Sequence, residues 1–371
     1  TIKTDDNGEY NIDFIAKADK SVNKEFSPTY SYTVYADVVD VNGETHSAKT
    51  NVSVGYRALN IKVGIPEKLN KNKVDTFRLL TNNLNGQPEF SKGNVKVWSL
   101  KMPMNYYRSS LLKNGDKKYI SKEVYTRDFP LDVYEDENNQ YKWEKNGKVY
   151  DHDFDTEKRQ SLELYMLPKW NSGVYVLEAI TNDKYGEEVK EIKYFTVYSE
   201  NEKQVPINKI GWFSPLKKKG EPGEKAEFLI GSAAKDVKVM YEIEHQNKIV
   251  HQEWININAT QKKISIPIKE VYRGNFQVHF TFVKHGRNFI YSSTVNVPHT
   301  NKMLDIQFET FRNKLLPGQK EEWKIKIKGK KGEKVAAEMV ATMYDASLDV
   351  FKPNSWNLDL LSYNKTSKDW R

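Results

Sequence analysis

The chain has 371 residues, more than one ordinary core accommodates, and about 150 residues per domain divides it into roughly two to four. It contains no cysteine, which excludes disulfides, thiolate metal sites, cysteine nucleophiles and a cysteine-derived thioester from this sequence. Its net charge of +8 is spread over 58 basic and 50 acidic residues. The main basic cluster, Lys320 to Lys334, alternates lysine with isoleucine along Lys324–Lys328. That alternation describes the wet face of a strand and not a nucleic-acid surface, which adds arginines and stacking aromatics.

No run of about 18 apolar residues is present, so no transmembrane segment is expected. An aromatic content of 12% favours strands. Thr1 begins in the middle of strand-and-turn grammar and reads as a processing boundary, not a biological start.

In chain order, Asp5-Asp6-Asn7-Gly8 is a turn, Glu9–Ala16 a strand and Tyr30–Gly55 a hairpin. Residues 1–58 therefore read as the C-terminal part of a β-sandwich. A second module, 59–200, opens on the alternating Leu59-Asn60-Ile61-Lys62-Val63 and closes on the hairpin Gly173–Tyr198. After its strand Val95–Trp98 an insert, about 103–160, reads as a β-meander, with turns at Asp136–Asn139 and Asn146-Gly147. A polar linker, 199–206, leads into a third module, 201–298. There Ile210–Phe213, Ala226–Gly231, Val237–Glu244, Ile249–Ile257, Ile264–Ile268, Asn275–Val283 and Asn288–Val297 alternate as seven short strands. Residues 299–371 restart the pattern with Pro317-Gly318-Gln319 and strands at Glu322–Lys328 and Val335–Tyr344.

The closing hairpin recurs. Tyr32, Tyr175 and Phe276 occupy one position of it, and Gly43 and Gly186 another. Recurrence at domain-sized separations argues for tandem copies of one module. The expected fold class is all-β: tandem seven-stranded, immunoglobulin-like antiparallel β-sandwiches, one carrying the inserted meander.

The stretch Pro317-Gly318-Gln319, Trp323, then Ala336 to Asp349 with Trp356 resembles bacterial α-2-macroglobulin-family proteins, most of all the large cell-envelope members of the Bacteroides type. Ala36-Asp37-Val38-Val39-Asp40 and Gly231-Ser232-Ala233 are similar to their macroglobulin-like domains. The resemblance covers most of the chain and is weakest over 103–160. It implies macroglobulin-like sandwiches from the N-terminal half of a much longer protein. The family includes inhibitors that trap proteases through a cleavable bait segment and often a reactive thioester. Residues 350–371 are the one stretch that could lie near a bait.

The chemistry that the residues offer is thin. Asp151-His152-Asp153-Phe154-Asp155 could gather carboxylates around a metal, but a calcium loop's glycine turn and bidentate glutamate are missing, so a solvated strand end is expected. His245 and His251 flank a hairpin and read as exposed turn histidines. Neither a G-x-S-x-G elbow nor a phosphate-binding glycine loop occurs. The insert's aromatics, with Tyr134, Tyr141, Trp143 and Tyr150 as the ligand-facing set, form either a glycan- or peptide-binding surface or the meander's own small core. No catalytic residue, cofactor or metal ligand is assigned.

The functional expectation is a non-catalytic scaffold segment of a protease-trapping envelope protein, periplasmic or surface-exposed and anchored through parts of the chain not present here. Its partners would be proteases, through the full-length protein, and neighbouring domains. The alternative is a cell-surface adhesion module that displays the insert; a third reading is a β-rich hydrolase using insert carboxylates.

Overall fold

A computed structural model describes residues 3–39, 42–73, 76–111 and 118–310 and, further on, 316, 318–329, 332, 339, 344, 346–350, 352–353, 355, 361 and 363. The chain forms two compact units, Thr1–Asn208 and Lys209–Arg371.

In the first unit, β1 (Thr29–Val39) and β2 (Thr45–Gly55) pair antiparallel along their whole length, and no residue of either is buried. The strand expected at Glu9–Ala16 is not one: these residues join no sheet. Side chains hold the segment instead. Tyr32 Oη donates to the Lys17 carbonyl (2.6 Å), Tyr30 Oη to the Asp19 carbonyl (3.1 Å), and Phe14 packs on Tyr32 at 5.6 Å.

The first sandwich follows. Strands β3 (Leu59–Gly64), β5 (Thr76–Asn83) and β8 (Ser161–Glu163) form one sheet. The other has the order β4 (Lys68–Asn70), β10 (Glu188–Tyr198), β9 (Gly173–Asn182), β6 (Lys92–Leu100), β7 (Lys145–Asp155). Alternation does what it must: in β3, Leu59, Ile61 and Val63 point inward while Asn60, Lys62 and Gly64 are exposed. They meet Val95, Val97, Leu177 and Ala179 of the facing sheet in one core. Trp170, Tyr175 and Phe195 stack through it at 5.1 and 5.8 Å. Each such buried side chain contributes about 1.5–3 kcal/mol. The linker 199–206 is tied to this sandwich, with Ser199 Oγ donating to Asn72 (2.7 Å) and Lys71 paired with Glu202.

In the second unit, β11 (Trp212–Lys217), β12 (Lys225–Gly231) and β15 (Gln261–Pro267) face a sheet of order β14 (Lys248–Ile257), β13 (Val237–His245), β16 (Phe276–Lys284), β17 (Arg287–Val295). These are seven strands in two antiparallel sheets, as expected. The connectivity repeats the first sandwich strand for strand: β3-β5-β8 corresponds to β11-β12-β15, and β7-β6-β9-β10 to β14-β13-β16-β17. Even the parallel pairing of β4 on β10 has its counterpart, the Lys219–Asn296 bridge. Beyond it β18 (Leu304–Thr310) pairs with β19 (Lys324–Gly329). The lysine face anticipated there turns toward Glu309, which bridges Lys324 (3.2 Å) and Lys326 (2.7 Å). The strand expected at Val335–Tyr344, Met339 and Tyr344 apart, lies outside the described residues, as do Pro317 and Trp356.

The correspondence relocates the insert. Strand β7 is no part of a meander: it pairs along β6 as the equivalent of β14, and β8 too belongs to the host. What is added is 101–144, where the second sandwich has only Gln246-Asn247. Among the described residues this segment holds no strand but one helix, α1 (Lys122–Asp128), and a 3-10 turn, Gln140–Lys142. Asn146-Gly147 is the bulged start of β7: the register with β6 skips Asn146 and Val149.

One turn recurs with the same hydrogen bonds. In Asp5–Glu9, Asn83–Gln87 and Asp183–Glu187 the first side chain accepts from the backbone N–H groups of the third and fifth residues at 2.8–3.0 Å. The fourth residue is a glycine at φ 78, 82 and 89, left-handed backbone that favours glycine. Asp183 adds a third contact, accepting the Ala58 N–H at 2.8 Å, which pins the entry to β3. Burial works to raise the pKa of Asp183, but the N–H groups of Ala58, Glu187, Tyr185 and Gly186 outweigh it and hold the carboxyl below its ordinary value.

Replacing Asp183 by Ala should cost the first unit about 1–3 kcal/mol in urea unfolding, because buried N–H groups lose their acceptor, whereas Asp5→Ala at the exposed copy should cost little. The folded pKa is depressed, so the contribution is present above the unfolded value of about 3.9 and is lost as pH falls through the folded one. The wild type should therefore lose its advantage over Asp183→Ala in acid, as read from unfolding midpoints against pH.

Candidate functional site

The added segment 101–144 is closed at its neck: Lys101 N–H donates to the Glu144 carbonyl (2.9 Å). Asn208 anchors its first residues, donating to the carbonyls of Pro103 (2.9 Å) and Met104 (3.1 Å). Arg108 forks onto the Asp132 carboxylate, with Nη2 at 2.7 Å, while its N–H donates to the Leu131 carbonyl (2.8 Å). Ser121 caps α1, its hydroxyl accepting from Val124 N–H.

Glu137 is the knot. Its carboxylate accepts the N–H groups of Tyr134 (3.1 Å) and Glu135 (2.8 Å) and pairs with Lys122 (3.1 Å), and its carbonyl accepts Trp143 Nε1 (2.9 Å). Burial works to raise the Glu137 pKa; the N–H groups of Glu135 and Glu137, with Lys122, bring it below the ordinary glutamate value. Lys122 in turn lies 2.8 Å from Glu135, and the two carboxylates raise its own pKa. Over this network sit Phe129, Tyr125 and Tyr134, in contact at 5.2 Å each. Tyr134 Oη donates to the Ile120 carbonyl (2.8 Å), and the ammonium groups of Lys118 and Lys122 lie 5.0 and 5.8 Å from its ring centre.

The four aromatics expected to face a ligand are therefore not one surface. Tyr134 and Trp143 are half-buried in the Glu137 knot. Tyr141 is 65% exposed and rests edge-on against Tyr194 of β10 at 4.7 Å. Tyr150 corrects the expectation: it lies on β7, 5% exposed, in the host core. Its hydroxyl points to the Glu163 carbonyl (3.4 Å), and burial pushes its phenol up to about 12. The segment shows solvent a different set: Met104, Leu111, Tyr119 and Phe129 are all exposed. The sequence signal for it was Tyr119-Ile120 directly before a helix-capping serine.

The remaining candidates are occupied structurally. Asp151 and Asp153, on β7, share the Asn94 amide (2.9 and 2.8 Å), and Lys148 pairs with Asp151. Among the described residues no group of three or more His, Asp or Glu is placed to hold a metal ion. His245 and His251 do not face each other: the register sets His245 opposite Lys248 and His251 opposite Ile243. The first is buried and not an exposed turn residue, with Nδ1 3.2 Å from the Asn275 carbonyl; the second packs its ring on Tyr241 at 5.2 Å. No helix among the described residues is long and apolar enough to cross a membrane.

Replacing 101–144 by the two-residue Gln-Asn turn of the second sandwich should leave a folded first unit with a cooperative unfolding transition. Loss of that transition would place the segment inside the host core.

Residues 211–348, which span β11 to β19, match the family model described as Alpha-2-macroglobulin bait region domain. No curated protein matches the chain. Among solved structures it is similar to Salmonella alpha-2-macroglobulin reacted with methylamine, at 12% identity and TM-score 0.29, over 83% of this chain and 19% of that one. It is also similar to the native conformation of E. coli alpha-2-macroglobulin, at 13% and 0.27, over 82% and 19%. A tetra-tandem repeat from the extending region of a large adhesion protein gives 13% and 0.21, over 76% and 60%. The chain thus spans about a fifth of the two alpha-2-macroglobulins. Likenesses at this level, shared with an adhesion repeat, bear on neither function.

Proposed function

We propose, taking the match of 211–348 as the premise, that the chain is a scaffold segment of an α-2-macroglobulin-like envelope protein that traps proteases. That match is the observation that carries the reading. Two sandwiches of one connectivity, each with its own core, support it as the rigid part of such a molecule. The role is mechanical: the sandwiches hold a bait and a capture element in register, and cleavage elsewhere releases the rearrangement. Proteases are its partners only through the whole protein, located at the periplasmic or outer face of the envelope. The Bacteroides-type assignment belongs to the same proposal.

The second reading, an adhesion module, is favoured by one observation: the neck-closed segment 101–144 leaves Met104, Leu111, Tyr119 and Tyr141 exposed.

The deciding experiment uses the full-length protein with and without 101–144 and the isolated segment 1–371, each incubated with trypsin. Under the scaffold reading the whole protein sequesters protease with or without 101–144, and the isolated segment gives no stoichiometric inhibition. In limited proteolysis the isolated segment should be cut first after Asp349, where Lys352, Lys365 and Lys368 offer trypsin sites in polar sequence. Failure of the full-length protein to hold any protease would overturn the reading in favour of adhesion.

A further inference from the structure

The four-stranded sheet of the second sandwich carries on its outer face a row of polar groups that neither reading uses. The register sets Glu242 opposite His279 and His279 opposite Ser292, with Glu244 two pairs along on the same face, opposite Gln277. The His279 imidazole is held at both nitrogens: Nε2 lies 2.9 Å from Glu244 Oε2, and Nδ1 lies 2.8 Å from Ser292 Oγ. His279 is 1% exposed and Glu244 3%, while Ser292, on β17, is exposed. The neighbours on this face are otherwise engaged, Glu242 with Gln252 (3.3 Å) and Gln277 with Thr294 (2.8 Å).

An ionised carboxylate can only accept. With Glu244 ionised, its carboxylate takes the Nε2–H, and the Nδ1 lone pair is then directed at the Ser292 hydroxyl. Carboxylate, imidazole and hydroxyl in that order are what turns a serine into a nucleophile; here the ring is reversed, with Nδ1 and not Nε2 toward the hydroxyl. A second observation points to a reacting group at the same place. Thr281 Oγ1, two residues along β16 from His279 and on the same face, is buried without a hydrogen-bond partner. It stands opposite Ile290 and so diagonally from Ser292. A buried, unused hydroxyl needs a reason, and a donor beside a nucleophile is what a developing oxyanion requires.

We propose that Ser292 is an acyl acceptor, activated by His279 and positioned through Glu244, that takes the acyl group of an activated carboxylic ester. Ser292 Oγ bonds to the ester carbonyl carbon as its proton passes to His279 Nδ1, and Thr281 Oγ1 donates to the oxyanion. On collapse the bond to the leaving alkoxide or phenoxide breaks, and that oxygen takes the proton from Nδ1. The products are acyl-Ser292 and an alcohol, with no other reactant. One acylation suffices, so the inference goes beyond the scaffold role and stands independently of it.

The test treats the intact chain with p-nitrophenyl acetate and, separately, with a fluorophosphonate, and then locates adducts by mass spectrometry. Trypsin cleavage after Arg287 and Lys302 yields one peptide containing Ser292 with Ser293, Thr294 and Thr300 as internal controls. The expected result is preferential labelling of Ser292, its loss in Ser292→Ala, and labelling slowed about 100-fold in His279→Gln. Glu244→Gln should slow labelling and change its pH profile, which a merely structural contact would not do. Ser292 labelled no faster than Ser293, or unchanged labelling in a folded His279→Gln, overturns the proposal. Should His279→Gln not fold, the site-resolved labelling of the wild type decides alone.

Discussion

A strand that buries only one of its faces needs two kinds of partner at once: neighbours that satisfy its backbone and a second sheet that covers its apolar side chains. Strand β9 shows how completely the first sandwich depends on meeting both. It lies between β10 and β6; Tyr175, Leu177 and Ala179 enter the core, and between them Glu178 points outward to Lys145 (3.0 Å) and Lys190 (3.1 Å). Strand β16 holds the same central place in the second sandwich with Phe276, Val278 and Phe280 inward. Both strands also bury outward residues: on β9 these are the apolar Val174 and Val176, on β16 the polar Gln277 and His279, whose hydrogen bonds run to side chains of the flanking strands.

From that constraint the legible part of the sequence follows. Alternation bounded by turn residues gave five of the seven strands of the second sandwich almost residue for residue, Val237–Glu244 against Val237–His245 and Ile249–Ile257 against Lys248–Ile257, while Ile210–Phe213 and Ile264–Ile268 are displaced from Trp212–Lys217 and Gln261–Pro267. Alternation reports which face a side chain takes, not whether a neighbouring strand exists. That is why Glu9–Ala16 reads as a strand and is none. Bulges are invisible for a related reason. The extra residue in β14, Val250, moves His251 from opposite Glu242 to opposite Ile243, while the two-residue tip sets His245 opposite Lys248.

The candidate site was less legible because its order comes from contacts without a period. Helix α1 buries none of its residues and so shows no apolar stripe; a serine cap, the Tyr125 and Phe129 rings and the Glu137 knot hold it. A carboxylate that satisfies two backbone N–H groups, a lysine and, through its own carbonyl, an indole leaves no pattern in the sequence. Tyr150 was misplaced by the opposite error, since Asn146-Gly147 carries the composition of a hairpin turn and here begins a bulged edge strand.

The position of the added segment has a consequence for how this fold can grow. It enters and leaves between two strands already paired to each other, so its ends are held together by the host ladder whatever lies beyond them. Loop-closure entropy rises only with the logarithm of length, and extending a two-residue tip to a segment of this size costs about 3 kcal/mol before any contact within it forms. The tip between β13 and β14, where Gln246 and Asn247 turn at φ 51 and 61, is the same position left empty. One sandwich carries a passenger there and the other does not, and the strands that define the fold are indifferent to the difference.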